Sequence, residues 1–187
     1  IDLVVKTLNQ SILVHGQITE KFEQKFSKFV GCKYAVAVSS CTAGMHLGYI
    51  ALGIGEGDEV LVTSQTHVAT AHTIEYVGAK PIFVDCETSF GNIDISKIEQ
   101  KITKKTKAIS VVHFIGMPVD MIEIMRIAKK YNLFVVEDCA LAVGSKIKNK
   151  HVGLFGDFGS FSFYPIKHMT TIEGGMIVTK KKKIYET

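Results

Sequence analysis

The sequence predicts an α/β domain with three layers, α/β/α, around a mostly parallel mixed sheet. Three observations carry this. Short runs rich in Val, Ile and Phe are continuously apolar rather than alternating, as strands covered on both faces are. Amphipathic stretches with helical spacing lie between them. No linker interrupts the alternation along the 187 residues, so the elements form one layered unit.

Taken in order, "ITEKFEQKFSKFVG" (18–31) reads as a helix with Phe22, Phe26 and Phe29 as its buried face and Gly31 as its stop. "KYAVAVS" (33–39), "DEVLVT" (58–63), "KPIFVD" (80–85), "TKAISVVH" (106–113) and "NLFVVED" (132–138) read as strands. The stretches 42–52, 68–78, 95–102 and 120–132 carry helical spacing; in the last, Met121, Ile124, Met125 and Ala128 share one face, opposite Glu123, Arg126 and Lys130. Near the end, the aromatic run before Lys167 and "GGMIVT" read as two further strands.

Composition narrows the function classes. A hydrophobic content of 47% supports one sizeable core. No apolar run approaches the ~20 residues that a membrane span needs, and the opening "IDLVVKTLNQ" lacks the order of a signal peptide. Cys32, Cys41, Cys86 and Cys139 are widely spaced with no C-x-x-C pair, and the histidines form no H-E-x-x-H pattern. This argues against a metal site and a disulfide framework, and points to a reducing cytoplasm. The net charge of +4 is modest, and the run Lys180 to Lys183 reads as a solvated segment rather than a nucleic-acid patch. The chain opens on Ile1 and stops just after a strand, so the expectation is a piece of a longer chain.

In parallel sheets ligands bind beyond the carboxyl ends of strands, which directs attention to four places. "SSCTAG" (39–44) puts small residues between a strand and a helix; it is a phosphate cup using Thr42 and the Ala43 amide, or an ordinary N-cap. Glu137 and Asp138 close a buried strand, where a carboxylate needs a cation, a protonated heterocycle nitrogen or a helix to cap. His67, in "SQTHVATAH", either stacks on a flat ligand ring or is a structural histidine. Lys167, in "FSFYPIKHMTTIEGG", is a lysine poised to attack a carbonyl as a Schiff-base former, with Ser162 as a second phosphate hydroxyl, or it is a snorkelling surface lysine. Together these are the parts of a pyridoxal 5'-phosphate site: an amine for the aldehyde, an acid for the ring nitrogen, a phosphate cup and a flat group over the ring.

From about residue 15 to the end, the order "VSSCTAG…SQTHVATAHTIEYVGAKPIFVD…VVEDCALAVGS…GDFGSFSFYPIKHMTTIEGGM" resembles the DegT/DnrJ/StrS-type nucleotide-sugar aminotransferases. The resemblance implies the aspartate-aminotransferase-like fold (fold type I) and makes residues 1–187 most of the large cofactor-binding domain, without the C-terminal small domain. It implies that Lys167 carries the cofactor and shuttles the proton, and that Asp138 meets the pyridine nitrogen. Thr42, the Ala43 amide and Ser162 would hold the phosphate, and His67 would stack on the ring. The implied reaction moves an amino group, typically from glutamate, to a keto group of a nucleotide-linked deoxysugar for lipopolysaccharide or related glycans. A homodimer would complete the site. Alternatives are a regulatory or binding protein that keeps the fold, and a sugar dehydratase. In the family's 3-dehydratases a histidine replaces the lysine, whereas here Lys167 precedes His168, which favours the transaminase.

Two positions depart from the family pattern. Leu141 stands three residues after the acid, where Gln or His often contacts the cofactor's phenolic oxygen. Ile172 stands where a glycine commonly precedes "EGG", removing backbone freedom beside the lysine.

Overall fold

The computed structural model describes residues 1–187. In chain order its elements are α1 (Asp2–Leu8), α2 (Gln17–Val30), β1 (Tyr34–Val38), α3 (Cys41–Leu52), β2 (Glu59–Thr63), α4 (Val68–Tyr76) and β3 (Lys80–Val84). After two 3₁₀ turns come β4 (Thr106–Val112), α5 (Met121–Tyr131), β5 (Phe134–Asp138), the two-residue strands β6 (Lys146–Ile147) and β7 (Lys150–His151), β8 (Phe158–Ser162), β9 (Gly175–Thr179) and α6 (Lys182–Glu186). The main sheet has the order β1-β9-β8-β5-β4-β2-β3. Its inner pairs are parallel, and β9 runs antiparallel to both β8 and β1, which makes the sheet mixed.

Strand alternation sorts the core into layers. Val60, Val62, Val136 and Phe158 point to α3 and α4, where they pack with Met45, Tyr49 and Ile74. Leu61, Ile109, Val111 and Val135 point the other way and meet Met121, Ile124 and Ile127 of α5. Phe161 and Phe163 meet α2, with Phe26 edge-on at 5.1 and 5.4 Å respectively. This explains the F-S-F pattern: the phenylalanines face α2 while Ser160 and Ser162 face α3. On α3, Gly48 leaves room for the Phe158 ring, which a Cβ would overlap.

Several local expectations change. The stretch 95–102 forms two 3₁₀ turns, Ile95–Lys97 and Glu99–Lys101, rather than a helix. Asp94 caps the first through Ser96 N (3.1 Å), and Ile98 is the segment's fully buried anchor. Eight residues with one such anchor are too few to propagate an α-helix. On α2 the buried stripe is Phe22, Phe26 and Val30 at i, i+4, i+8, while Phe29 stays 55% exposed at its rim. Gly31 does end α2, with φ 81°. On α5 Ile127 joins the buried face and Met125 sits at its edge. The lysine run after β9 enters α6, whose Tyr185 stacks on Tyr34 at 4.5 Å. No helix is long and apolar enough to cross a membrane.

Candidate active site

A cleft of about 330 Å³ opens at the carboxyl ends of the strands. Thr42, His67, Asp138, Ser162 and Lys167 all line it, although up to 125 residues separate them in the chain. Each arrives by a local device. Asp138 is the last residue of β5 and faces α3 because Glu137, one residue earlier, faces the other way. Ser162 ends β8 on the same side. His67 caps α4, its Nδ1 accepting from Ala69 N at 3.2 Å. Lys167 closes a tight turn begun at Tyr164, whose carbonyl accepts from Lys167 N at 2.9 Å, with Pro165 fixing the second position.

The floor is buried and specific. Asp138 is 7% exposed. Its Oδ2 accepts from Thr70 Oγ1 at 2.7 Å and its Oδ1 from Ala140 N at 2.9 Å. Cys41 Sγ lies 3.8 Å from Oδ1 and 3.5 Å from the Ser160 carbonyl. Burial first, and then the Asp138 carboxylate, push the Cys41 thiol well up, so it is a neutral wall of the cleft. Gly175 is required here, because a Cβ would run into the Ser40–Cys41 peptide.

The start of α3 differs from the expected phosphate cup at one residue. The Ala43 amide donates to Ser40 Oγ at 3.0 Å, and Ala43 does not line the cleft. Ser40 is the N-cap of α3, and its hydroxyl takes the amide that an anion would need. The preceding amides, of Cys41 and Thr42, bind nothing within the chain and are the free donors at this helix start. Ser162 Oγ is engaged only by Tyr164 N at 3.4 Å.

Over the cleft, residues 164–173 form a loop closed at Phe163. Phe163 N donates to Gly174 O (2.9 Å), and Phe163 O accepts from Thr171 N and Thr170 Oγ1, both at 3.0 Å. Lys167 Nζ makes no hydrogen bond or ion pair within the chain. Ile172 adopts φ 71° and is 76% exposed, a left-handed conformation unusual for a β-branched residue. It is held by Ile172 N donating to Thr170 Oγ1 (2.9 Å) and Thr171 Oγ1 to Glu173 O (2.8 Å). Leu141 lies outside the cleft lining.

Glu137 has a different task. Its Oε1 accepts from Phe155 N and Gly156 N, both at 2.7 Å, and its Oε2 from Gly153 N at 2.6 Å and His113 Nε2 at 3.1 Å. His113 Nδ1 accepts from Val119 N (3.1 Å), so Nε2 carries the proton. His113, Glu137 and Cys139 are clustered closely enough to hold a metal ion. The imidazole and carboxylate atoms are already used, and burial beside Glu137 and Asp138 pushes the Cys139 thiol well up, so the cluster is structural.

Sequence reasoning missed Thr70 and Cys41. Thr70 follows His67 by three residues, the spacing that puts both on one side of a helix turn, and that was the available signal.

Known proteins match the chain in both sequence and fold. The whole chain, residues 1–187, matches the DegT/DnrJ/EryC1/StrS aminotransferase family. It is 52% identical over 171 residues to a GDP-perosamine synthase of Escherichia coli O157:H7, covering 91% of this chain and 47% of that one. An aminotransferase from Psychrobacter cryohalolentis superposes with a TM-score of 0.95 at 41% identity, over 98% of this chain and 47% of the other. The PLP form of a putative sugar aminotransferase, Spr1654 from Streptococcus pneumoniae, gives 0.91 at 32% identity, over 98% and 52%. The chain thus spans about half the length of the relatives it matches. With that match running from end to end, the chain belongs to the DegT/DnrJ/EryC1/StrS aminotransferase family.

Proposed function

We propose that the whole protein is a pyridoxal 5'-phosphate-dependent aminotransferase that moves an amino group, from glutamate, to a keto group of a nucleotide-linked deoxysugar. The observation that carries this is one cleft holding an unpartnered Lys167 amine, a buried oriented Asp138 carboxylate and free anion donors at Thr42. When bound, the cofactor supplies an aldehyde carbon for an amine and a protonated ring that takes up carbanion electrons. The residues fit it. Lys167 Nζ offers an uncommitted amine and later carries the proton at that nitrogen. Asp138 keeps a proton on the ring nitrogen, and His67 covers the ring. Ser162 Oγ, Thr42 Oγ1 and the Cys41 and Thr42 amides are the phosphate donors; the Ala43 amide joins them only where Ser40 releases it.

The similarity to a GDP-perosamine synthase supports a nucleotide-linked sugar as the acceptor, and we assign that sugar to surface polysaccharide or lipopolysaccharide. Residues 1–187 then form most of the large cofactor-binding domain. Four unpaired thiols support a cytoplasmic setting. Tyr164, Ile166, Met169 and Ile172 leave apolar surface beside the cleft, which supports a second copy covering it in a homodimer.

Borohydride reduction of the cofactor-loaded full-length protein, followed by peptide mass spectrometry, tests the reading. A pyridoxyl adduct on Lys167 is expected, together with loss of the yellow colour on adding glutamate. An adduct elsewhere, or a protein that stays colourless with added cofactor, would leave only a binding role.

A further inference from the structure

The acid on the cleft floor is held by an uncharged side chain of α4. Thr70, buried in the first turn of α4, donates through Oγ1 to Asp138 Oδ2 at 2.7 Å. Thr70 Oγ1 also lies 2.8 Å from Thr66 Oγ1. A hydroxyl has one proton and two lone pairs. With the Thr70 proton committed to Asp138, the Thr66–Thr70 bond must run from the Thr66 hydroxyl to the Thr70 oxygen. The polarity of the chain is therefore set: Thr66 to Thr70 to Asp138.

We propose that Thr66 and Thr70 form a directional hydroxyl relay that positions Asp138 toward the ring nitrogen of the cofactor, with Thr70 a positioning residue. This rests on the cofactor reading above. Two features support it. The two carboxylate oxygens are gripped from different elements, Oδ2 by α4 and Oδ1 by Ala140 N at 2.9 Å, so the carboxylate plane cannot rotate without losing a bond. Thr70 N also donates to His67 O at 3.0 Å, so one helical turn places both the acid and the imidazole that covers the ring. Hydrogen bonds in such a chain polarise one another, and one ending on a carboxylate is stronger than a neutral pair. The other titratable side chains lining this cleft beside Asp138 are Cys41 from α3, His67 capping α4, and Tyr164, Lys167 and Glu173 from the loop.

The test uses the full-length protein as wild type, Thr70→Val, Thr70→Ser and Thr66→Val. Each is loaded with pyridoxal phosphate labelled with ¹⁵N in the ring. The readouts are cofactor affinity and the ring-nitrogen chemical shift as pH is raised. Thr70→Val should weaken cofactor binding about tenfold, equivalent to about 1.4 kcal/mol, and lower the pH at which the ring nitrogen loses its proton. Thr66→Val should do the same by about two- to threefold, and Thr70→Ser should match wild type. A purely structural tie between α4 and β5 would lower the melting temperature of Thr70→Val and leave the nitrogen titration unmoved, which would overturn the relay alone. A wild-type protein that does not take up the cofactor overturns both the relay and the function it rests on. Where Thr70→Val does not fold, Thr66→Val decides, and an unmoved titration there also overturns the relay.

Discussion

Glu137 and Asp138 are adjacent in β5, both buried, and they end in opposite kinds of surroundings. On the α5 side both oxygens of Glu137 are matched: three backbone amides and one imidazole take them up. On the α3 side Asp138 is oriented by Thr70 and Ala140, while donors around it are left over: Lys167 Nζ and the amides of Cys41 and Thr42. The first pattern is that of a group holding the chain together, since the great majority of buried polar atoms in a folded chain are paired. The second leaves pairing to a ligand. Motif reading treats "ED" as one signal; the pairing of the atoms separates its two halves.

The sharpest way to break this comparison is to remove each charge in turn, keeping size. Asp138→Asn should lower the turnover of the full-length protein by about 10²–10³-fold, with little change in its unfolding free energy. Glu137→Gln should do the reverse. It exchanges an acceptor-only carboxylate for an amide that cannot satisfy three backbone donors, at about 3–5 kcal/mol in urea unfolding. Activity per folded molecule should stay within a few-fold. If both variants lose activity and stability together, the division of labour between the two faces is wrong.

The loop over the cleft gives the next effect. Ile172 holds a left-handed conformation that costs an L-residue roughly 1–2 kcal/mol, and more when it is β-branched. Glycine would relieve this strain while losing more entropy on ordering. Ile172→Gly should therefore stabilise the closed loop by about 1 kcal/mol, seen as slower amide exchange at residues 170–174. Faster exchange would show that the threonine bonds, and not the backbone of residue 172, decide the loop.

How much of this was legible beforehand follows the same divide. Strands such as 59–63 and 134–138 were readable because a strand covered on both faces needs a continuous apolar run, and few other structures do. The departure at Ile172 was visible as a residue type, and the structure gives it a backbone form, with φ 71°. The antiparallel direction of β9 was not legible, since residues 175–179 are buried throughout and read alike in either direction. Phe29 misled because i, i+4, i+7 and i, i+4, i+8 stripes differ by a fraction of a turn. Within the site, Ser40 is the cap of α3 and takes the Ala43 amide expected for the phosphate, and sequence offers two adjacent serines with nothing to choose between them. Thr70 was hidden for another reason. Its partner is 68 residues away, and a threonine in a helix's first turn is common without any such partner.

The smallest expected effect lies on the structural side, at His151. This ring is buried, donates from Nδ1 to Val152 O at 2.6 Å and accepts at Nε2 from Gly144 N at 2.9 Å. Both nitrogens are therefore spoken for in the neutral ring, and protonating Nε2 would break the Gly144 bond. Burial pushes the His151 pKa below its ordinary value of 6.5, against the opposing pull of the Val152 carbonyl. The unfolded chain then binds this proton more readily than the folded one. Stability from His151 is fully present above a pH of about 6.5 and is lost as pH falls from there toward the folded pKa, with a slope of at most about 1.4 kcal/mol per pH unit. His151→Gln should keep a donor and an acceptor but not titrate, so its urea unfolding free energy should fall less steeply than wild type between pH 7 and 5. Parallel curves would mean that the acid sensitivity of this face resides elsewhere.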